Sequence, residues 1–431
     1  MNNDFLLNSK GAVRLYSEAA KELPVIDFHN HVSVSDIKND RAFNDIYELW
    51  LETDPYKHRL MRICGIEEEY ITGKRTPYEK FEKFCWCFPL LAGNPVYDWS
   101  RMELFRVFDI DKIPSKDNAK LLWDEINERL SSKEFSARGI LKRFNIEYQA
   151  PVASLTDDIS EFNGDGVAPS LRGDNLLSPN KTLIDCLKEK TGVNVTDNSS
   201  YIKSVSVLLD RFNLLGCRIA DHSLDYDFFE NDKNGEKAKM LILLAKEYAK
   251  RGWMLLLHIG AKRDTSSRLA AVAGPAGGYA AVGECFPISK LCDLLNLMEK
   301  EDGLPNTVIF PLNMSDQAPL SVLQGSFSQD KIASKVQLGP AWWWCDHAFG
   351  IENTLNSIAS FGVLSQFIGM TTDSRSLLSF VRHDYFRRLL CNSLDKRNNN
   401  WELSFDMLKN IVTKICYQNA KDKIMGGINN V

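Results

Sequence analysis

The stretch VIDFHNHVS (25–33) carries His29 and His31 two positions apart, at the end of a run with strand-like character. Side chains two apart on an extended strand project to the same face, so these imidazoles aim together while Asn30 points away. Neutral imidazoles in that geometry bind a divalent cation, zinc first among the candidates, with a carboxylate from elsewhere completing the set. Asp373, in FIGMTTDSR, is the natural carboxylate. Three protein ligands leave coordination positions open to water or substrate, as a catalytic site requires and a structural one does not. Further polar residues close other apolar runs: His222 in GCRIADHS, His258 in WMLLLHIG, His347 just after KVQLGPAWW, and Arg375 beside Asp373. Each histidine alone reads as a hydrogen-bonded packing residue. Five at the same predicted end make a constellation.

The elements that must position them are eight short apolar runs: 24–31, 146–154, 166–172, 216–223, 253–260, 307–313, 335–343 and 367–375. Between them lie segments with helical periodicity, at 235–252, 287–300, 351–362 and 376–391. Alternating strands and helices predict an α/β fold, a parallel (β/α)8 barrel with its chemistry at the C-terminal ends of the strands. A doubly wound open sheet is the runner-up, but no glycine-rich phosphate loop follows an early strand. The long interval between the first two strands, residues 32–145, reads as a helical insertion capping the barrel mouth within a single domain spanning 1–431. The glycine-rich AGPAGGYAAVG (273–283) reads as a mobile loop and lacks the Lys-Ser/Thr ending of a phosphate loop.

Composition narrows the function classes. A net charge of −5 with interspersed signs excludes the basic face of a nucleic-acid binder. The start, MNNDFLLNSK, has no positively charged residues followed by an apolar stretch, so a secretory signal is not expected; the longest uncharged apolar run is too short and too glycine-rich to span a bilayer, and a cytoplasmic location is expected. Ten cysteines scattered over 431 residues read as reduced thiols. The CWC at 85–87 lacks the spacing and the second pair of a zinc knuckle.

The sequence resembles the amidohydrolase superfamily, whose barrels carry His-x-His after strand 1 and Asp after strand 8, and within it the uronate isomerase family. The resemblance rests on DFLLNSKGAVRLY, FHNH, DIYELWLETDPYKHRLMRICGI, FSARGILKRFNIE, LTDD, GCRIADHSLD, LHIGA and GVLSQFIGMTTDSRSLLSFVRHDYFRRLLCN, which run along nearly the whole chain. It implies aldose–ketose isomerisation of a uronic acid, with one divalent metal held by His29, His31 and Asp373. It also implies that Tyr56 reaches the site from the insertion, Arg375 pairs with Asp373, Arg172 contacts substrate, and His222, His258, Trp342 and Trp343 line the pocket. The chemistry of these residues fits: moving a proton between adjacent carbons through an enediol requires a base, an acid and a group that stabilises the oxyanion. Tyr56, Asp373 and a strand-end histidine can transfer the proton, and a planar arginine can grip a carboxylate. No lysine ends strand 4 to bridge a second metal. Four stretches depart from the family pattern: WWWCDH, NMSDQ, RGD and AKRDTSSRL. A metal-dependent hydrolase is the alternative, a sugar-acid sensor a more distant one, and a homo-oligomer stays open.

Overall fold

Seven parallel strands form one sheet in the order β1-β2-β3-β4-β5-β8-β9 in the computed structural model, which describes residues 4–162 and 166–426. They are β1 (Val25–Asn30), β2 (Ile146–Ser154), β3 (Ser170–Arg172), β4 (Ile219–Leu224), β5 (Met254–Ile259), β8 (Asn306–Pro311) and β9 (Val336–Leu338). β6 (Ala261–Lys262) and β7 (Ala281–Val282) make a separate antiparallel ribbon. β5, MLLLHI, is buried at every position, as expected of a parallel strand covered on both faces. Parallel neighbours need crossover connections, and helices such as Glu236–Lys250 and Ile288–Lys300 supply them. Each packs one apolar stripe inward: Met240, Leu241, Leu244 and Tyr248 on the first, Leu291, Leu294, Leu295 and Met298 on the second.

Between β1 and β2 the chain is helical, including Ile46–Trp50, Pro55–Ile63, Pro77–Cys87, Pro95–Phe108 and Ala119–Leu130. A buried polar knot fastens this region. The Lys57 ammonium bonds Asp54 at 2.8 Å and Glu103 at 3.1 Å, and the Trp50 indole N–H donates to Glu103. Such a charge is tolerated in a core only when paired like this.

The expected eighth strand, 367–375, is a correction. It is irregular chain beside β1, outside the sheet, with Gly369 at φ +90° and Asp373 at φ +47°, so the hydrogen-bonded ladder does not close into an eight-stranded barrel. The cause is local. Asp27, fully buried on β1, accepts the Thr372 N–H at 2.7 Å and the Thr372 hydroxyl at 2.9 Å. The Thr371 hydroxyl lies 2.8 Å from both the N–H and the carbonyl oxygen of His29. Side chains thus occupy positions that a backbone ladder would fill. The backbone bonds to β1 are Asp373 N–H to the His29 carbonyl and the His31 N–H to the Ser374 carbonyl, at 3.0 and 2.8 Å. On the far side, Ile368 N–H donates to the Gln337 side chain rather than to backbone of β9.

Candidate active site

A cleft of about 100 Å³ opens where β1, β3, β4 and β5 end, and its lining includes His29, His31, Tyr56, Arg172, His258, Trp342, Trp343, Asp373 and Arg375. His29 Nε2 and His31 Nε2 stand 3.3 and 3.0 Å from Asp373 Oδ1. Tetrahedral ligands about 2.0–2.1 Å from a zinc ion lie about 3.3 Å from one another, close to the two distances to Asp373, and all three donor atoms fall within 4.8 Å of one another. The donor set, two imidazole nitrogens and one carboxylate oxygen, fits a divalent cation. Burial would raise the Asp373 carboxyl, but its hydrogen bonds and charge interactions with both histidines hold it well below the usual carboxylate range. Burial lowers His31, whereas Asp221 and Asp373 outweigh burial at His29 and raise it. Asp373 has φ +47° and Trp343 φ +51°, left-handed backbone that non-glycine residues adopt at a cost and that clusters at functional sites. The Trp342 indole N–H donates to Asp373 Oδ2, leaving Oδ1 turned to the histidines.

His258 ends β5, stacked on Phe310 at 4.4 Å between ring centroids and 4.8 Å from His29. Its Nδ1 meets Asp221 Oδ1 at 2.5 Å, and its buried Nε2 has no partner among the described residues. Asp221 thereby fixes the ring and its tautomer. Sequence reading missed Asp221, although strand alternation carries the signal. Ser223 pairs with His258 across β4 and β5, so Ser223 and Asp221 share the inward face with His258 while His222 turns outward.

His222 is therefore a correction. It points at the helix layer, bonds the Tyr248 hydroxyl at 3.0 Å and packs under Gly173, where an added Cβ would come within 2.3 Å of the ring. His347 is also outside the cleft, its Nδ1 accepting the Gly350 N–H as cap of the helix Ala348–Phe361. Of the five histidines, the fold brings His29, His31 and His258 together.

Tyr56 comes from the helical region. Asp54 caps the helix Pro55–Ile63 by accepting the N–H groups of Tyr56 and Lys57, and Pro55 fits its first turn. The far side of this helix is clasped by the glycine-rich loop: Arg59 and Arg62 donate to the carbonyls of Gly278 and Gly277. Gly278 has φ +85°, and a Cβ there would strike the Pro55 carbonyl at 2.4 Å. The loop is tied to the helix at these contacts. Burial and the nearby Asp346 push the Tyr56 phenol well above its ordinary range, against the opposing charge of Arg382. Burial likewise pushes Asp346 up to about 7, although Arg382 opposes it.

Arg172 ends β3 with its Nε on Asp174 at 3.2 Å. Asp174 also accepts the Ser223 N–H, and Ser223 Oγ accepts from Arg263, a second cleft arginine that sequence reading left unassigned. Arg375 does not pair with Asp373, a further correction: it is exposed, and the Asp373 carboxylate is occupied by His29, His31 and Trp342. Trp344 stays out of the cleft, edge-on to Tyr56 and bonded to the Ala280 carbonyl.

The glucuronate isomerase family model matches residues 1–241 and 227–423. A uronate isomerase from Caldanaerobacter subterraneus is 38% identical over 98% of this chain and 98% of its own length. One from Caldicellulosiruptor bescii is 37% identical over the same shares. The crystal structure of uronate isomerase from Thermotoga maritima superposes with a TM-score of 0.90 at 28% identity, covering 98% of this chain and 99% of that one. With the family model spanning nearly the whole length and relatives above one-third identity end to end, the chain belongs to the glucuronate isomerase family.

Proposed function

We propose that the cleft interconverts D-glucuronate with D-fructuronate, and D-galacturonate with D-tagaturonate, by proton transfer through an enediol. The observation that carries this reading is the junction of a His-His-Asp cation site with a buried phenol and three arginines in one cleft, in a chain of this family. His29, His31 and Asp373 would hold one divalent ion, zinc by the softness of the imidazoles, and that ion would polarise the sugar's carbonyl oxygen. Arg172, with its two terminal nitrogens free of Asp174, grips the substrate carboxylate bidentately. Arg375, exposed at the mouth, steadies the oxyanion as the enediol forms. Asp373, ionised and fixed by Trp342, takes the C2 proton and returns it to C1, while Tyr56, held as a neutral phenol, gives its proton to the C1 oxygen and regains one from the C2 hydroxyl. His258, oriented by Asp221, and the Trp342–Trp343 wall shape the floor and exclude water.

In the same reading the segment 367–375 acts as the eighth stave of a (β/α)8 barrel of amidohydrolase type. Residues 32–145 cap its mouth within one domain, and the enzyme works in the cytoplasm. Among the described residues no helix is long and apolar enough to cross a membrane. Proton NMR of metal-replete protein with each uronate tests the assignment. The corresponding ketose acid, with no second product, is expected from at least one sugar. Folded protein that converts neither uronate, or that releases two products from a hydrolysable substrate instead, overturns it.

A further inference from the structure

One buried cation has no part in the chemistry so far. Arg382, in the helix Val381–Trp401, is 2% exposed, among the largest side chains removed from solvent. Its guanidinium carbon lies 4.5 Å from the Tyr56 ring centroid and 4.2 Å from that of Trp99, in the corner formed by two rings that meet edge-on at 83°. One terminal nitrogen donates to Asp346 at 3.0 Å and to the Thr372 carbonyl at 3.2 Å. Thr372 directly precedes Asp373. One side chain therefore joins the helix that delivers Tyr56 to the backbone that delivers Asp373, two segments more than 300 positions apart in sequence.

We propose that Arg382 is a positioning residue for the isomerisation, a flat cation anchored by Asp346 and Thr372 that fixes the Tyr56 ring relative to Asp373. This rests on the uronate isomerase reading of the cleft. A desolvated guanidinium against an aromatic face is worth more than an exposed one, and its planarity lets it lie on rings while its edge bonds a carboxylate and a carbonyl. A lysine would keep the charge but lose the plane and the fork. A purely structural role, neutralising Asp346 in the core, needs no particular relation to Tyr56. The position over the phenol ring is the feature that role leaves unexplained.

Arg382→Lys, Tyr56→Phe and the double variant separate the two roles through kcat and KM, together with Cζ-labelled tyrosine NMR of substrate-free protein. The Tyr56 resonance is assigned by its loss in Tyr56→Phe. Misplacing a reacting group by an ångström costs about a hundredfold, so Arg382→Lys is expected to lower kcat by that order with KM little changed. In the Tyr56→Phe background it is expected to lower kcat no further, and in substrate-free protein to move the Tyr56 resonance. Losses that multiply in the double variant, an unchanged kcat, or an unmoved Tyr56 resonance overturn the proposal. If Arg382→Lys does not fold, Asp346→Asn, which keeps the guanidinium and removes its anchoring charge, is judged by the same readouts. If the wild type converts no uronate, the functional reading fails, and the resonance alone decides the role of Arg382.

Discussion

The sheet has two characters. β4, β5 and β8 pair residue for residue along their length, from Ile219 opposite Met254 to Leu224 opposite Ile259, and from there to Asn306 through Pro311, without a shift. β1 slips register against β2 between Val25 and Ile26 and again between Asp27 and Asn30, and its other flank is bonded through the side chains of Asp27 and Thr371. The regular half is a rigid platform that presents His258 and Asp221. The irregular half carries His29, His31 and Asp373. A filled ladder points its bonding groups at neighbouring strands, whereas an edge knit by side chains can twist a residue such as Asp373 into left-handed backbone and aim it at the cleft.

The sharpest way to break this contrast is Asp27→Ala. It strands Thr372, Asn30 and His383, which bond the carboxylate at 2.7–3.0 Å in the core. Losing one partner of a buried charged cluster costs about 3–5 kcal/mol, to be read as a lowered urea midpoint together with lost activity. A loss under about 1 kcal/mol would show that the ladder, not the side chains, holds this edge.

On the regular half, two neighbouring residues should differ in activity. Asp221→Asn, which loosens the ring of His258 and removes a buried charge that His258, His29 and Arg172 balance, is expected to lower kcat about ten- to a hundredfold and to lower the melting temperature with it. His222→Gln, on the outer face, should keep its activity and lose about 1 kcal/mol through its weakened bond to Tyr248. Equal effects on activity would mean that the β4 register is wrong.

Arg375→Ala separates substrate contact from structure at the irregular edge. The side chain is exposed and unpaired with Asp373, so stability should stay within about 0.5 kcal/mol while kcat/KM falls. A matching loss of stability would place Arg375 in the framework.

The smallest expected effect is on pH dependence. Burial would raise the Asp54 carboxyl, but Lys57 and Arg382 outweigh it and hold it low. A lowered native value contributes stability that is fully present above the unfolded carboxylate's value near about 3.9 and is lost as pH falls through the native one. Melting curves of wild type and Asp54→Asn should therefore differ above pH about 4 and converge in more acidic buffer. Curves that stay parallel would remove Asp54 from the balance that holds the Tyr56 helix.

Much of the platform was legible because apolar runs and alternation are local signals. β2 falls at 146–154 as read, and the helix expected at 235–252 runs Glu236–Lys250. Strands ending at glycine-rich or polar chain were overdrawn: Gly216, at φ +84°, lies in the turn before β4, and only Val336–Leu338 of 335–343 joins the sheet. The sequence paired His29 and His31 because a two-residue spacing on one strand fixes direction, and added Asp373 as the carboxylate that the resemblance implies, although no strand carries it. It placed His222 on the wrong face because a His-after-strand pattern ignores the one-residue alternation that selects Asp221. It could not show that Asp27 would displace a strand ladder, since that depends on Thr371, Thr372 and His383 arriving from more than 340 positions away.

Isomerisation through Asp373 is decided by comparing wild type with Asp373→Asn at equal protein concentration. Ketose formation from D-glucuronate is followed by proton NMR, and folding is checked by circular dichroism. Ketose is expected from the wild type, with a loss of about a thousandfold or more in a variant of native circular dichroism, the size expected when a proton-transferring group is removed. Undiminished turnover by folded Asp373→Asn would contradict that role of Asp373.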